Sequence, residues 1–261
     1  MRRCHSVLLA AMVLITVLGL GLTPGLQGLM LAPVHSVQGW GSVKGQIVFA
    51  GDAIPEAIPY KMTKDQDHCM SKGPQKEVKW LVNSKNKGLA NVVAFLQPER
   101  GKSLEVHDTL KSPAQKNVIL DQPLCIFEPR IVAMRKDQSL LVKNPAPIAH
   151  NIVIDGFNNS YNVQMPPASE KSFTLEAGYL PNSLRCGAHE WMKGYLFVFE
   201  HPYFAVTDDN GQFEIKLAPA GPVNIVLWHE ETGWVVGRKG KAIEIKAGAE
   251  TDLGKIEVKP N

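Results

Sequence analysis

The sequence predicts an all-β protein. Three observations carry the prediction. Short segments either alternate apolar with polar residues or run apolar for five or six positions. Turn residues separate them at regular spacing, and no segment shows the sustained period of a long amphipathic helix.

Taken in order, 43–49 alternates well enough for a strand, and 91–96 is a short apolar run of the kind buried on both faces of a sheet. Between them, 51–87 is rich in Pro, Lys, Asp and Ser and reads as loop. Further strands are expected at 139–143, 151–154, 171–175 and 195–199. A boundary falls at Glu200-His201-Pro202. Beyond it, Thr207-Asp208-Asp209-Asn210-Gly211 is a turn of the Asn-Gly kind favoured in hairpins, and it feeds the alternating segment 212–217. Pro219-Ala220-Gly221-Pro222 turns again into 223–228, and Ile243, Ile245, Ile256 and Val258 supply two more strands. Such spacing suggests a second, smaller sandwich over 201–261.

The N-terminus carries a different message. Residues 1–36 contain Arg2 and Arg3, no lysine and no acidic residue, and an apolar run over 7–22 ends at Thr23-Pro24-Gly25. This is the pattern of a secretory signal peptide, which implies an exported, periplasmic or extracellular protein. The competing reading is a retained membrane anchor, because the run is close to the length of a span. Lys and Arg number 28 against 25 Asp and Glu, a net charge of +3 that falls to +1 without the two leader arginines. A near-neutral surface argues against nucleic acid or an anionic membrane as partner. Cys4 would leave with the leader, so Cys69, Cys125 and Cys186 remain. An odd count outside the cytoplasm leaves one thiol to explain. A Cys69–Cys125 bridge would free Cys186; three reduced thiols, or a bridge between chains, are the alternatives.

The chemistry concentrates at His150 and in Cys186-Gly187-Ala188-His189-Glu190-Trp191-Met192. Two imidazoles, one thiolate and one thioether are the ligand set of a blue-copper site, trigonal in His, His and Cys with a weak axial Met. Singly, each has a plainer reading: Met192 as core, His150 and His189 as satisfied side chains, Cys186 as a small buried hydrophobe. Together, C-x-x-H-x-x-M below an upstream Asn-x(5)-His is a specific pattern. The thioether beside a thiolate favours copper over zinc. Trp191 has two compatible readings, a docking patch around His189 or an aromatic lid that keeps water from the metal. His68, His107, His201 and His229 have no ligand spacing and read as structural or surface residues. No nucleophile elbow, phosphate loop or H-E-x-x-H motif occurs.

The segment 143–155, K-N-P-A-P-I-A-H-N-I-V-I-D, resembles the first copper-ligand segment of plastocyanin and its relatives. Phe127-Glu128-Pro129-Arg130-Ile131, followed by Val142 and Asn144, is similar to the opening strands of those cupredoxins. The loop 186–192 is two residues shorter than that of plastocyanin and is similar to the contracted loop of amicyanin. The resemblance covers roughly 117–200, about a third of the chain. It implies a Greek-key cupredoxin β-sandwich followed by a smaller sandwich, with His150, Cys186, His189 and Met192 holding one copper ion. Asn144 would hydrogen-bond the ligand-loop backbone. Residues 201–261, through Thr207-Asp208-x-x-Gly211-x-Phe213, resemble the small sandwiches of transthyretin and of carboxypeptidase regulatory domains.

The organisation expected is therefore a leader over 1–36, an elaborated cupredoxin domain over 37–200 with its core at 117–200, and an accessory sandwich over 201–261. Its expected function is single-electron transfer between redox partner proteins by Cu(I)/Cu(II) cycling. Catalysis is not expected, because four ligands leave no open position. Copper sequestration or delivery is a second possibility. A third is an interaction protein stapled by the metal.

Overall fold

A computed structural model describes residues 39–260. The leader expected over 1–36, with Cys4, lies outside the described residues. The first strands are β1 (Trp40–Phe49), β2 (Ile58–Pro59), β3 (Lys76–Glu77), β4 (Val93–Gln97), β5 (Asn117–Asp121) and β6 (Ile131–Arg135). There follow β7 (Ser139–Asn144), β8 (His150–Asp155), β9 (Ser160–Met165), β10 (Ser169–Thr174), β11 (Gly178–Arg185) and β12 (Lys193–Phe199). The last are β13 (Phe204–Val206), β14 (Gln212–Pro219), β15 (Gly221–His229), β16 (Gly233–Trp234), β17 (Lys241–Ile245) and β18 (Glu250–Val258). One α-helical turn, α1 (Gln66–Cys69), interrupts the long loop after β1. The all-β expectation is met. No helix among the described residues is long and apolar enough to cross a membrane.

Four sheets are layered over three cores. The sheet β10-β7-β5 faces the sheet β6-β12-β11-β8-β9 across a core that includes Leu120, Leu140, Val142, Ile152, Ile154 and Leu196. The far side of that five-stranded sheet turns Ile131, Phe197 and Phe199 against Val93 and Phe95 of β4 and Val226 and Trp228 of β15. Those last two strands belong to the sheet β13-β4-β15-β16, which β17 joins through β15. Their other faces, Ala94 and Leu96 with Ile225 and Leu227, meet the sheet β14-β1-β18 over the third core. The logic is written in the alternation. On β12, Leu196 and Val198 face one core while Phe197 and Phe199 face the next. A strand buried on both faces needs an uninterrupted apolar run, and β4 and β12 have one.

The second sandwich does not begin at residue 201. Its strands β14 and β18 flank β1, and β13 and β15 flank β4. Residues 40–97 and 204–258 therefore share two sheets, and the first sandwich is inserted between them in sequence. The Asn210-Gly211 turn also differs from the hairpin expected. It joins β13 to β14, which pair in different sheets, so the turn carries the chain from one sheet to the facing one. Gly211 is required there: its φ is +72°, and a Cβ would stand 2.1 Å from the Ile47 carbonyl oxygen.

The sandwiches are also clamped by charge. Arg130, before β6, gives Nε and Nη2 hydrogen bonds of 2.7 and 2.6 Å to the two carboxylate oxygens of Glu230, just after β15. The Glu230 side chain is only 2% exposed.

Candidate metal centre

His150 opens β8, Cys186 follows the last residue of β11, and Lys193 opens β12. Arg185 stands opposite both Val153 of β8 and Lys193 of β12. Three neighbouring strands thus bring His150 and the loop 186–192 to one end of one sheet. The loop is closed by its own backbone. Cys186 N–H donates to Met192 O at 3.3 Å, and Met192 N–H donates to His189 O at 2.9 Å.

The side chains converge. His150 Nδ1 lies 3.1 Å from His189 Nδ1, and Cys186 Sγ lies 3.7 Å from His189 Nδ1. His150 and His189 are 0% exposed, Cys186 3% and Met192 1%. Met192 shares its core cluster with Cys186 and Trp191. Burial opposes ionisation of the Cys186 thiol, but hydrogen bonds from His150, His189 and nearby backbone amides outweigh it and bring its pKa down to about 5. Burial likewise opposes charge on His189, yet its hydrogen bonds with Cys186 and Asp65 raise its pKa above the ordinary histidine value.

These residues fit a soft or borderline cation. His189 Nε2 faces the carboxylate of Asp65 at 2.9 Å. A carboxylate accepts, so Nε2 carries a proton, and in the neutral ring Nδ1 is then the nitrogen free to bind a metal. Nδ1 faces a second imidazole nitrogen and a thiol held toward its anion. Nitrogen and thiolate donors, all buried and within 4.8 Å of one another, satisfy a metal better than they satisfy each other.

The surroundings match the sequence reading in part and differ from it at Asn144 and in the segment that covers the site. Asn144 does not reach the ligand loop. Its Nδ2 donates to the carbonyls of Ile148, Met165 and Pro166, and its Oδ1 accepts from Ala146 N–H. It sits on β7, in the opposite sheet, where it ties the turn before β8 to the connection before β10. The loop is held instead by Asn151, whose Oδ1 accepts the Gly187 N–H at 2.8 Å. The sequence placed Asn151 only as a strand residue.

Trp191 follows one of its two sequence readings: it is 9% exposed and forms no open patch. Its ring lies 5.1 Å from that of His189, and its Nε1–H donates to Cys125 O. The lid geometry is the one present, and the lid is itself roofed.

The cysteines follow the sequence reading, and the cover they help to build does not. Cys69 and Cys125 form a disulfide, leaving Cys186 as the free thiol among the described residues. A sulfur of that bridge and a ring nitrogen of His189 lie within 4.8 Å of one another. The segment 51–87, expected as loop, therefore covers the site, and it brings Asp65 with it. Nothing in the sequence marks Asp65, which is 124 positions from His189.

No protein-family model and no curated protein matches the chain. Among solved structures, it is similar to a Cu-containing nitrite reductase from Thermus scotoductus SA-01, at 16% identity and a TM-score of 0.30, covering 36% of this chain and 25% of that one. The chain thus spans about a quarter of that reductase. A Cu(I) amicyanin variant matches at 17% identity and a TM-score of 0.29, over 40% of this chain and 97% of its own. A purple cupredoxin from Nitrosopumilus maritimus matches at 16% identity and 0.27, over 31% and 97%.

Proposed function

We propose that the chain is an exported mononuclear copper protein of the cupredoxin class that passes single electrons between partner proteins. The observation that supports this most is the buried meeting of His150 Nδ1, His189 Nδ1 and Cys186 Sγ at one sheet end. Copper, when bound, supplies a one-electron Cu(II)/Cu(I) couple. His150 and His189 would hold it through Nδ1 and Cys186 through Sγ, and the Met192 thioether would add a weaker donor. The donors are rooted on β8, β11 and β12, which are hydrogen-bonded to one another, so they resist moving apart when the charge between them changes. Their burial keeps water out. With four protein donors in place no position is left for a substrate, so the reading is a carrier without catalysis at the copper.

The partners are redox proteins, with no role for nucleic acid on a near-neutral surface. The second sandwich, built from 201–261 with β1 and β4, is read as an accessory module of the transthyretin-related kind that presents a partner surface. Copper delivery is the competing use of the same donors. The cover of 62–69 over His189 favours retention.

Titration with Cu(II), followed by visible absorption and electron paramagnetic resonance, tests the reading. An intense thiolate charge-transfer band that saturates at one copper, with narrow hyperfine splitting, is expected. A weak spectrum typical of nitrogen and oxygen ligands would remove Cys186 from the ligand set and the carrier reading with it. Exchange to a Cu(I) chelator then separates the two uses: a carrier keeps its copper through repeated redox cycles, and a delivery protein surrenders it.

A further inference from the structure

The roof of the site has a polar contact that packing alone does not require. Asp65 Oδ2 stands 2.9 Å from His189 Nε2, the ring nitrogen that points away from the donor cluster. The contact is held from several sides. Asp65 adopts φ 49°, an uncommon conformation for a residue with a side chain, and its carbonyl accepts from the His68 and Cys69 N–H groups. The Gln66 side chain donates to Met62 O at 2.7 Å, and His68 Nε2 pairs with Pro123 O at 3.0 Å. Cys69 is bonded covalently to Cys125, whose carbonyl accepts from the Trp191 indole. The strap is thus fixed to the site's own lid on one side and delivers a carboxylate to the ligand imidazole on the other.

We propose that Asp65 is a positioning residue of the metal centre, accepting the Nε2–H of His189, fixing the tautomer that leaves Nδ1 bare, and strengthening that nitrogen as a donor to a divalent ion. The proposal rests on the copper reading for its consequences and not for its geometry. A carboxylate behind a ligand histidine orients the ring and raises its basicity, and loss of such a partner typically weakens metal binding 10–100-fold. The added negative charge favours Cu(II) over Cu(I), so Asp65 holds the reduction potential down. The strap also closes the outer edge of His189, which is 0% exposed. Electrons then enter or leave by way of the strap or the lid and not through a bare imidazole edge.

The test has an arm with no copper in it. Nitrogen-15 NMR of the metal-free protein reads the His189 tautomer: protonation at Nε2 is expected in the wild type, and its loss in Asp65→Ala. A wild-type His189 protonated at Nδ1, with Nε2 bare, overturns the proposal whatever the protein does with metal. With copper, Asp65→Ala is expected to lose at least about tenfold in Cu(II) affinity, with a smaller loss for Cu(I). Each tenfold difference between the two states raises the potential by about 59 mV. Asp65→Asn, which keeps an acceptor and removes the charge, is expected to fall between. If both variants keep the wild-type potential and change only the melting temperature, Asp65 is a clip for the loop and the proposal is wrong. If the wild type develops no charge-transfer band, the copper reading falls and the tautomer alone decides the role of Asp65.

Discussion

Two of the regions that bury polar groups do so in opposite ways. Between the sandwiches, Arg130 and Glu230 face each other through two short hydrogen bonds, and Tyr60 Oη and Lys193 O take further positions around the guanidinium. Donor meets acceptor and the account closes. At the end of the β8, β11 and β12 strands, His150 Nδ1, His189 Nδ1 and Cys186 Sγ converge on a common point, and His189 Nε2 faces Asp65. The first arrangement is complete as protein; the second has the donor set that a cation would complete. A buried polar cluster is read as a binding site when its members cannot satisfy one another, not simply because it is polar.

The largest effect that could break this comparison is at Cys186. Cys186→Ser is expected to abolish the thiolate charge-transfer band completely, because a serine hydroxyl does not ionise at neutral pH. The metal-free fold should survive with a loss of about 1–3 kcal/mol, the usual cost of an ill-satisfied buried hydroxyl. A variant that still turns blue with copper would place the ligating sulfur elsewhere.

At the interface the expected outcome is reversed. Glu230→Gln leaves Arg130 beside a neutral amide with Glu77 Oε1, 3.7 Å from Nη2, as its remaining carboxylate, so the loss should fall below the roughly 3–5 kcal/mol of breaking a buried pair outright. Denaturant unfolding should show that loss while the copper spectrum stays that of the wild type. Should the spectrum change and the stability hold, the clamp would belong to the metal centre and the distinction between the regions would fail.

The candidate donors could be picked out in the sequence because three of them share seven residues, and local spacing survives folding; the structure brings His150, Cys186 and His189 together. The strands buried on both faces were legible for a similar reason: 91–96 and 195–199 are apolar at nearly every position, which a half-exposed strand would not be. What was hidden is non-local. β1 pairs with β14 and β18 across the whole inserted sandwich, and no feature of 43–49 states its partners. Asp65 acts through a contact that depends on a disulfide and on a backbone conformation unusual for its type. Asn144 and Asn151 bracket His150 at distances of six positions and one. The resemblance pointed to the first, but the loop belongs to the sheet of the second, so Asn151 reaches it.

Acid should separate the regions further. His201 and His229 are away from the donor cluster, and burial is the main cause that lowers each pKa from 6.5 to about 4. Neutral His201 Nδ1 accepts the Tyr203 N–H at 3.2 Å, a role that protonation would end. Because the folded values lie below the unfolded one, the unfolded chain binds more protons between them. The stability these two groups confer is therefore fully present above about pH 6.5 and is lost as the pH falls toward 4, by an amount on the order of 3 kcal/mol for each. Denaturant midpoints at pH 7.5 and 4.5 for the wild type and for His201→Gln measure it, and the variant should show a shallower fall. Identical pH profiles for the two proteins would mean that His201 is solvated.

The smallest effect, and the sharpest test of the donor cluster, is at Met192. It is 1% exposed and packs in the same core as Cys186 and Leu196, so a bland reading of it as filler is available. Met192→Leu preserves volume and should cost less than about 1.5 kcal/mol in stability, which makes packing nearly silent. The thioether is the one thing removed. A weak axial donor stabilises Cu(II) more than Cu(I), so its loss should leave copper bound and raise the reduction potential, read by voltammetry with the charge-transfer band intact. An unchanged potential would assign Met192 to the core and reduce the ligand set to His150, Cys186 and His189. With only three donors, the fourth position would be open, and the absence of catalysis inferred from a filled shell would lose its basis.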